Sequence, residues 1–195
     1  QPSDPELHHR PRATVLIMAP PSVHADLAAR TREMPGASVP PLGYHITMYG
    51  PFVFASLSRI RAAVRATARH TQPFTVRLEG IGYFRQPNDN VIYLRVVTNP
   101  HLLRLHARLV DALGGLTVSR HPLGPAYDRY LFVPHVSLGV HIPDALLDHD
   151  RRPANALPLA YGFSVERLWL FLESPGPSPV WLPVESYPLS ATSAL

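Results

Sequence analysis

Two tetrapeptides of one pattern, His45-Ile46-Thr47-Met48 and His135-Val136-Ser137-Leu138, stand 90 residues apart in this chain. Each lies in a run of β-forming residues, so each is read as part of a strand. Successive side chains on a strand point to opposite faces. His45 and Thr47 therefore share one face, and Ile46 and Met48 share the other. His135 with Ser137, against Val136 with Leu138, repeats the arrangement. The apolar pair of each motif can enter a core, while the imidazole and the hydroxyl stand side by side in front of the sheet. With hydrophobic residues at 46% of the chain and eleven histidines, chance supplies roughly a quarter of one such match. Two matches, both in predicted strands at matching positions, constrain the fold: each strand must bury one apolar face and leave its polar face open to a cleft.

The rest of the chain fits helices and strands around these two runs. Ala13–Ala19 reads as a buried strand, stopped by Pro20-Pro21. Ser22 is expected to cap a helix from Val23 to Met34. The first motif strand spans Tyr44–Tyr49 and is broken by Gly50-Pro51. Ser56 or Ser58 opens a helix reaching His70, with Leu57, Ile60, Ala63, Val64 and Ala68 on one face. Phe74–Phe84 and Val91–Val97 read as a hairpin around Gln86-Pro87-Asn88-Asp89-Asn90. Asn99-Pro100 caps a third helix with Leu102, Leu105, Leu109 and Leu113 inward. Residues 116–129 are expected to be loop, Tyr130–Val140 the second motif strand, and Asp144–His149 a short helix. A loop over Arg151–Pro158 and strands at Val165–Glu173 and Val180–Leu189 complete the reading. Each motif strand is thus followed by a helix and a pair of strands, as in a diverged duplication about an approximate two-fold axis.

Composition narrows the chemistry. The chain has no cysteine and no lysine, so all 18 basic residues are arginine. That excludes disulfides, cysteine nucleophiles and thiolate zinc sites, and equally nucleotidyl-lysine ligases, Schiff-base enzymes and P-loop NTPases. A net charge of +4 and a pI near 9.8 favour anionic partners. The arginines are spread along the chain, which suits a small phosphate ligand as well as a polymer. No apolar run approaches the ~18 residues of a membrane span, and the start lacks a signal-peptide pattern. The expectation is one bilobal domain over residues 1–195, with residues 1–12 and 190–195 as loose arms, acting as a cytoplasmic monomer without a membrane partner.

Two imidazoles and two hydroxyls converging on one point suit phosphoester cleavage without a metal. Hydroxyls and imidazolium can hold the non-bridging oxygens. Histidine, with an ordinary pKa of about 6.5, can take a proton from a nucleophile or give one to a leaving oxygen near neutral pH. The pairs His8/His9 and His101/His106 and the turn Asp148-His149-Asp150 lack the spacing of a metal site and are read as surface groups. No cofactor is expected.

At these residues the chain resembles the 2H phosphoesterase superfamily, and within it the bacterial 2′-5′ RNA ligase and RNA 2′,3′-cyclic phosphodiesterase group, whose signature is two His-x-Thr/Ser motifs about this far apart. Tyr49-Gly50-Pro51-Phe52 after the first motif and Phe132-Val133-Pro134 before the second resemble the family's flanks, and the likeness runs from Ala13 to Leu189. It implies an α+β fold of two pseudo-two-fold-related lobes of antiparallel sheet, with outer helices around a central cleft. It further implies hydrolysis of nucleoside or RNA-terminal 2′,3′-cyclic phosphates, with His45 and His135 as acid and base and Thr47 and Ser137 holding the phosphate. His135 is taken as the base for water and His45 as the acid, although the two-fold relation leaves the reverse open. The alternatives are a module that binds an RNA end or nucleotide without turnover, a 2′-5′ RNA ligase, and an ADP-ribose cyclic phosphate phosphodiesterase. Two departures stand out. Tyr44 occupies a place where many members have proline. The arginine that many carry after the second motif is replaced by Gly139-Val140-His141, where His141 could stand in for it.

Around the site, Tyr49, Phe84, Tyr127 and Tyr130 are candidates to stack on a base. Arg129 is a candidate for a further phosphate contact. Tyr49, Arg129 and Tyr130 are thus the expected substrate-binding residues beyond the motifs.

Overall fold

The computed structural model describes residues 11–120, 131–155, 160–174 and 180–190. In chain order the strands are β1 (Arg12–Met18), β2 (His45–Phe54), β3 (Phe74–Phe84), β4 (Asn90–Val96), β5 (Thr117–Ser119), β6 (His135–Ile142), β7 (Ala160–Val165), β8 (Arg167–Glu173) and β9 (Trp181–Pro188). The helices are α1 (Pro21–Thr31), α2 (Leu57–Arg69), α3 (Pro100–Leu113) and α4 (Asp144–Asn155).

The strands form one curled antiparallel sheet in the order β7-β3-β4-β6-β2-β1-β8-β9, with β5 added to the far end of β2. The two motif strands are neighbours at its centre, joined at the single pair Ile46↔Val136. Outward from that seam the halves correspond: β2, β1, β8, β9 on one side and β6, β4, β3, β7 on the other. The two-fold relation expected from the sequence is present, but the segments exchange lobes. The β3-β4 hairpin that follows the first motif lies beside the second motif strand, and the β8-β9 hairpin that follows the second lies on the first motif's side. Helices cross too: α1 packs on β6, and α3 packs on β2 and α2. The seam is therefore tied by chain crossings as well as by hydrogen bonds.

The core follows the alternation. Ile46, Met48, Val136 and Leu138 have no exposed surface and pack with Leu102, Leu105 and Leu109 of α3, Ile60 and Val64 of α2, and Leu27 of α1. Asn99 caps α3 as expected, its Oδ1 accepting from His101 and Leu102 N–H at 2.9 and 3.1 Å. Ser56 caps α2.

The structure also corrects the sequence reading. Arg12, expected in a loose arm, opens β1. α1 starts at Pro21, with Pro20 rather than Ser22 at the cap, because proline fits a first helical turn that needs no N–H. β2 runs through Gly50-Pro51 to Phe54. Gly50 takes φ +115°, and a Cβ there would lie 3.0 Å from the Ala13 carbonyl of β1; a glycine lets the strand bend without ending. β5 falls in a stretch read as loop, β7 in one left unassigned, and α4 runs on to Asn155. His106, read as a surface group, is buried, and Asp150 of the supposed solvated turn is fully buried, with Oδ1 accepting from Gly36 N–H. No described helix is long and apolar enough to cross a membrane.

Candidate active site

The seam builds the site. With Ile46 opposite Val136 in antiparallel register, His45 stands across from Ser137 and Thr47 across from His135. All four side chains leave the face opposite the helices and are half-buried. The two histidines are held alike. His45 Nδ1 lies 2.7 Å from the Gly43 carbonyl, and His135 Nδ1 lies 2.7 Å from the Val133 carbonyl, in each case two residues back. A carbonyl only accepts, so each Nδ1 carries a proton and the Nε2 edge serves the chemistry.

Their surroundings differ. Burial pushes His45 down to about 4, opposed by its bond to Gly43 and reinforced by the nearby charge of His135. It is neutral at physiological pH. His135 sits in an aromatic wall, its ring edge-on to Phe84 at 4.8 Å and tilted to Tyr93 at 5.0 Å. Phe84 and Tyr93 stack on one another at 4.3 Å. Tyr93 can lie flat on the sheet because its cross-strand partner is Gly82. A Cβ on Gly82 would come within 2.3 Å of the tyrosine ring.

Behind the seam a buried histidine joins the two motif segments. The register of β1 against β2 passes from Leu16↔Thr47 to Val15↔Tyr49, which leaves Met48 as a bulge. Across the seam the register sets Pro134 opposite Met48, and proline has no N–H to offer. The Met48 carbonyl accepts instead from His106 Nδ1–H of α3, at 2.8 Å. The His106 ring stacks on Phe132 with centroids 3.6 Å apart and planes 5° apart. Sequence spacing did not expose this residue, because five positions from His101 on a helix it is simply another histidine. Its place beside Leu102, Leu105 and Leu109 on the apolar stripe was the available signal.

In front of the seam lies a cleft of about 570 Å³. Thr47, His135 and Ser137 are in its wall, and His45 is on the same strand face just beyond it. Thr14, Leu42, Gly50, Pro51 and Trp181 close the side of the first motif. Tyr83, Phe84, Arg85, Gln86 and Val91 close the other. Of the expected stacking residues, Phe84 is present. Tyr49 is buried instead, packed against Phe52 at 5.3 Å with its hydroxyl 2.8 Å from Thr117 Oγ1, and it is not part of the wall. Arg129, Tyr130 and Tyr127 lie outside the described residues. His141, considered as a stand-in for the missing arginine, is turned out of the strand at φ +58° and bonds Asp89 at 2.8 Å. Trp181 and Arg85 were not expected here. They arrive from a hairpin start and a hairpin turn, which only the sheet order brings to the seam. Among the described residues no group of three His, Asp or Glu could hold a metal ion.

Known proteins share this architecture and sequence pattern. Escherichia coli LigT in complex with 3′-AMP superposes with a TM-score of 0.66 at 18% identity, over 92% of this chain and 99% of that one. TT0787 of Thermus thermophilus superposes at 0.63 with 23% identity, over 92% and 98%. At such identities the likeness is one of fold. A protein of Bacillus cytotoxicus named for the phosphoesterases is 35% identical over 111 residues, which is 56% of this chain and 56% of its own length. A similarly named protein of Geobacillus kaustophilus is 27% identical over 132 residues, 67% and 70% of the two chains. The match thus spans little more than half the length of the first of these relatives. The profile of the 2′-5′ RNA ligase superfamily matches residues 19–176, from the end of β1 to just past β8 and through both motifs. With most of its length matched to that profile and its sheet built as in LigT, the chain belongs to the 2′-5′ RNA ligase superfamily, the 2H phosphoesterases.

Proposed function

We propose that this protein is a phosphodiesterase that hydrolyses nucleoside or RNA-terminal 2′,3′-cyclic phosphates without a metal. The observation that supports the reading is the seam itself: Thr47, His135 and Ser137 line one cleft, and His45 stands on the same strand face just beyond it. The cleft is of ordinary size for a small-molecule site and has aromatic surfaces for a base. Three of the LigT structures hold 3′-AMP, ATP and NADP+, ligands of nucleotide class.

Thr47 and Ser137 hydroxyls donate to the non-bridging oxygens of the phosphate. His45, neutral because of its burial, takes the proton from an attacking water at Nε2. His135 on the opposite strand, protonated at Nε2, gives its proton to the ribose oxygen that leaves. Water adds to phosphorus, one phosphorus–oxygen ester bond breaks, and a 2′- or 3′-phosphomonoester results with one net proton released in solution. This reverses the acid–base order favoured by the sequence, because a ring held near pKa 4 is a poor proton donor to keep charged at neutral pH. The test is hydrolysis of 2′,3′-cyclic nucleotides in EDTA, followed by phosphorus NMR. Turnover that vanishes in EDTA, or that persists in both His45→Ala and His135→Ala, rules the reading out.

A further inference from the structure

Arg85 is the only arginine in the cleft wall among the described residues, and that wall contains no carboxylate. It has no hydrogen bond or ion pair within the described structure, unlike Arg12, Arg30, Arg65 and Arg77, which each meet a carboxylate. The carboxylate on its own turn, Asp89, is taken by His141. The turn is fixed: Asp89 N–H bonds the Gln86 carbonyl at 3.0 Å, and Asn88 adopts φ +54°. Arg85 is exposed, whereas the motif groups are half-buried at the floor. The Phe84 ring that immediately precedes it lies against His135. Arg85 thus lines the same cleft as His135, one residue beyond the aromatic ring that touches that histidine.

We propose that Arg85 binds an anionic group of the substrate other than the phosphate held between the motifs, so that the cleft prefers nucleotides carrying a second phosphate. The inference rests on the reading of the cleft as a cyclic-phosphate site, and it deepens that reading by naming what the rim selects. A planar guanidinium can meet a phosphate with two parallel N–H···O bonds. Arg85 also borders a neighbouring cleft that contains Asp144 and Asp148 but pairs with neither, so binding a phosphate breaks no existing bond of the guanidinium. With His45 neutral, Arg85 is also the one permanent positive charge that the wall offers an anion among the described residues.

The experiment compares equilibrium binding of a nucleoside 3′-phosphate and the matching 3′,5′-bisphosphate by calorimetry, in the wild type, Arg85→Gln and Arg85→Lys. Because Arg85 is exposed and makes no pairing in the described structure, none of these changes removes a contact of the fold. The wild type is expected to favour the bisphosphate by about tenfold, the size of one charge-assisted pairing. The preference should collapse towards unity in Arg85→Gln, survive in part in Arg85→Lys, and shrink as NaCl rises from low to physiological strength. A wild-type preference near unity, the same preference in Arg85→Gln, or no binding of either nucleotide overturns the proposal. Turnover of 2′,3′-cyclic nucleotides is measured alongside. No turnover with an Arg85-dependent preference overturns the hydrolysis reading alone. Turnover with no such preference overturns the role of Arg85 alone.

Discussion

The first and second motif strands hold their histidines in the same way and have unlike surroundings. Each sets a histidine with Nδ1 on the carbonyl two residues back and a hydroxyl two residues on. Yet β2 is flanked by β1 and carries a bulge at Met48, while β6 is flanked by β4 and takes its aromatic wall from the β3-β4 hairpin. Burial holds His45 near 4; His135 stands against the stacked rings of Phe84 and Tyr93. A pseudo-symmetric frame thus supplies equivalent geometry, and the exchanged hairpins supply inequivalent environments. Unequal environments bias which of two imidazoles keeps a proton, which would assign base and acid roles in the proposed reaction.

The comparison breaks most sharply on removal of either imidazole. His45→Ala and His135→Ala should each lower kcat on 2′,3′-cyclic nucleotides by about 10²–10⁴-fold, read by steady-state kinetics with folding checked by circular dichroism. A double variant no worse than either single one would show that the two histidines act as a unit.

The next effect is one of pH. His45 has a folded-state pKa depressed below its ordinary 6.5 to about 4. Between those values the unfolded chain binds more protons than the folded one, so stability is lost as pH falls from about 6.5 to about 4 and is unchanged by this group above that window. The loss should approach about 3 kcal/mol if the whole shift is expressed, and His45→Gln should abolish it in denaturant titrations. The acid limb of kcat/KM should likewise fall near 4, as a base at that position requires. A limb that rises towards the acid side down to pH 4 would assign His45 the opposite role. In His135→Ala the limb should move up, because a neighbouring positive charge has gone.

The smallest of these effects concerns the tie behind the seam. His106→Leu keeps an apolar side chain on α3 but leaves the Met48 carbonyl without the imidazole N–H. It should cost about 1–3 kcal/mol of stability, read as a lower denaturation midpoint. His106→Gln, which can still donate, should recover part of that loss. Equal loss in both variants would assign the stabilisation to the stack on Phe132.

Much of this was legible from local pattern. The alternation of His45-Ile46-Thr47-Met48 and its repeat assigned faces correctly: Ile46, Met48, Val136 and Leu138 are buried, while Thr47, His135 and Ser137 line the cleft and His45 shares their face. The β3 span and the α3 span and cap were readable, because Asn99-Pro100, an unbroken Leu stripe and the turn residues after Phe84 act over a few positions. Tyr49 was misplaced because it follows Met48. The bulge there shifts the alternation, so a tyrosine two residues beyond Thr47 turns into the core rather than the cleft. β5 escaped notice because three residues carry no periodicity and pair only through contact with β2.

By itself the sequence determined the strand faces, the polar groups of the site, and the excluded chemistries, since side-chain alternation and the absence of lysine and cysteine are properties of the chain alone. Tertiary structure decided which segments meet at the seam. Pairing of β4 with β6, rather than with a neighbour in sequence on both sides, brings Phe84, Tyr93 and Arg85 to His135. It also decided the state of His45, because burial and the neighbouring charge of His135 depend on atoms 90 residues away. Strand order and desolvation arise from long-range packing, and no local pattern encodes them.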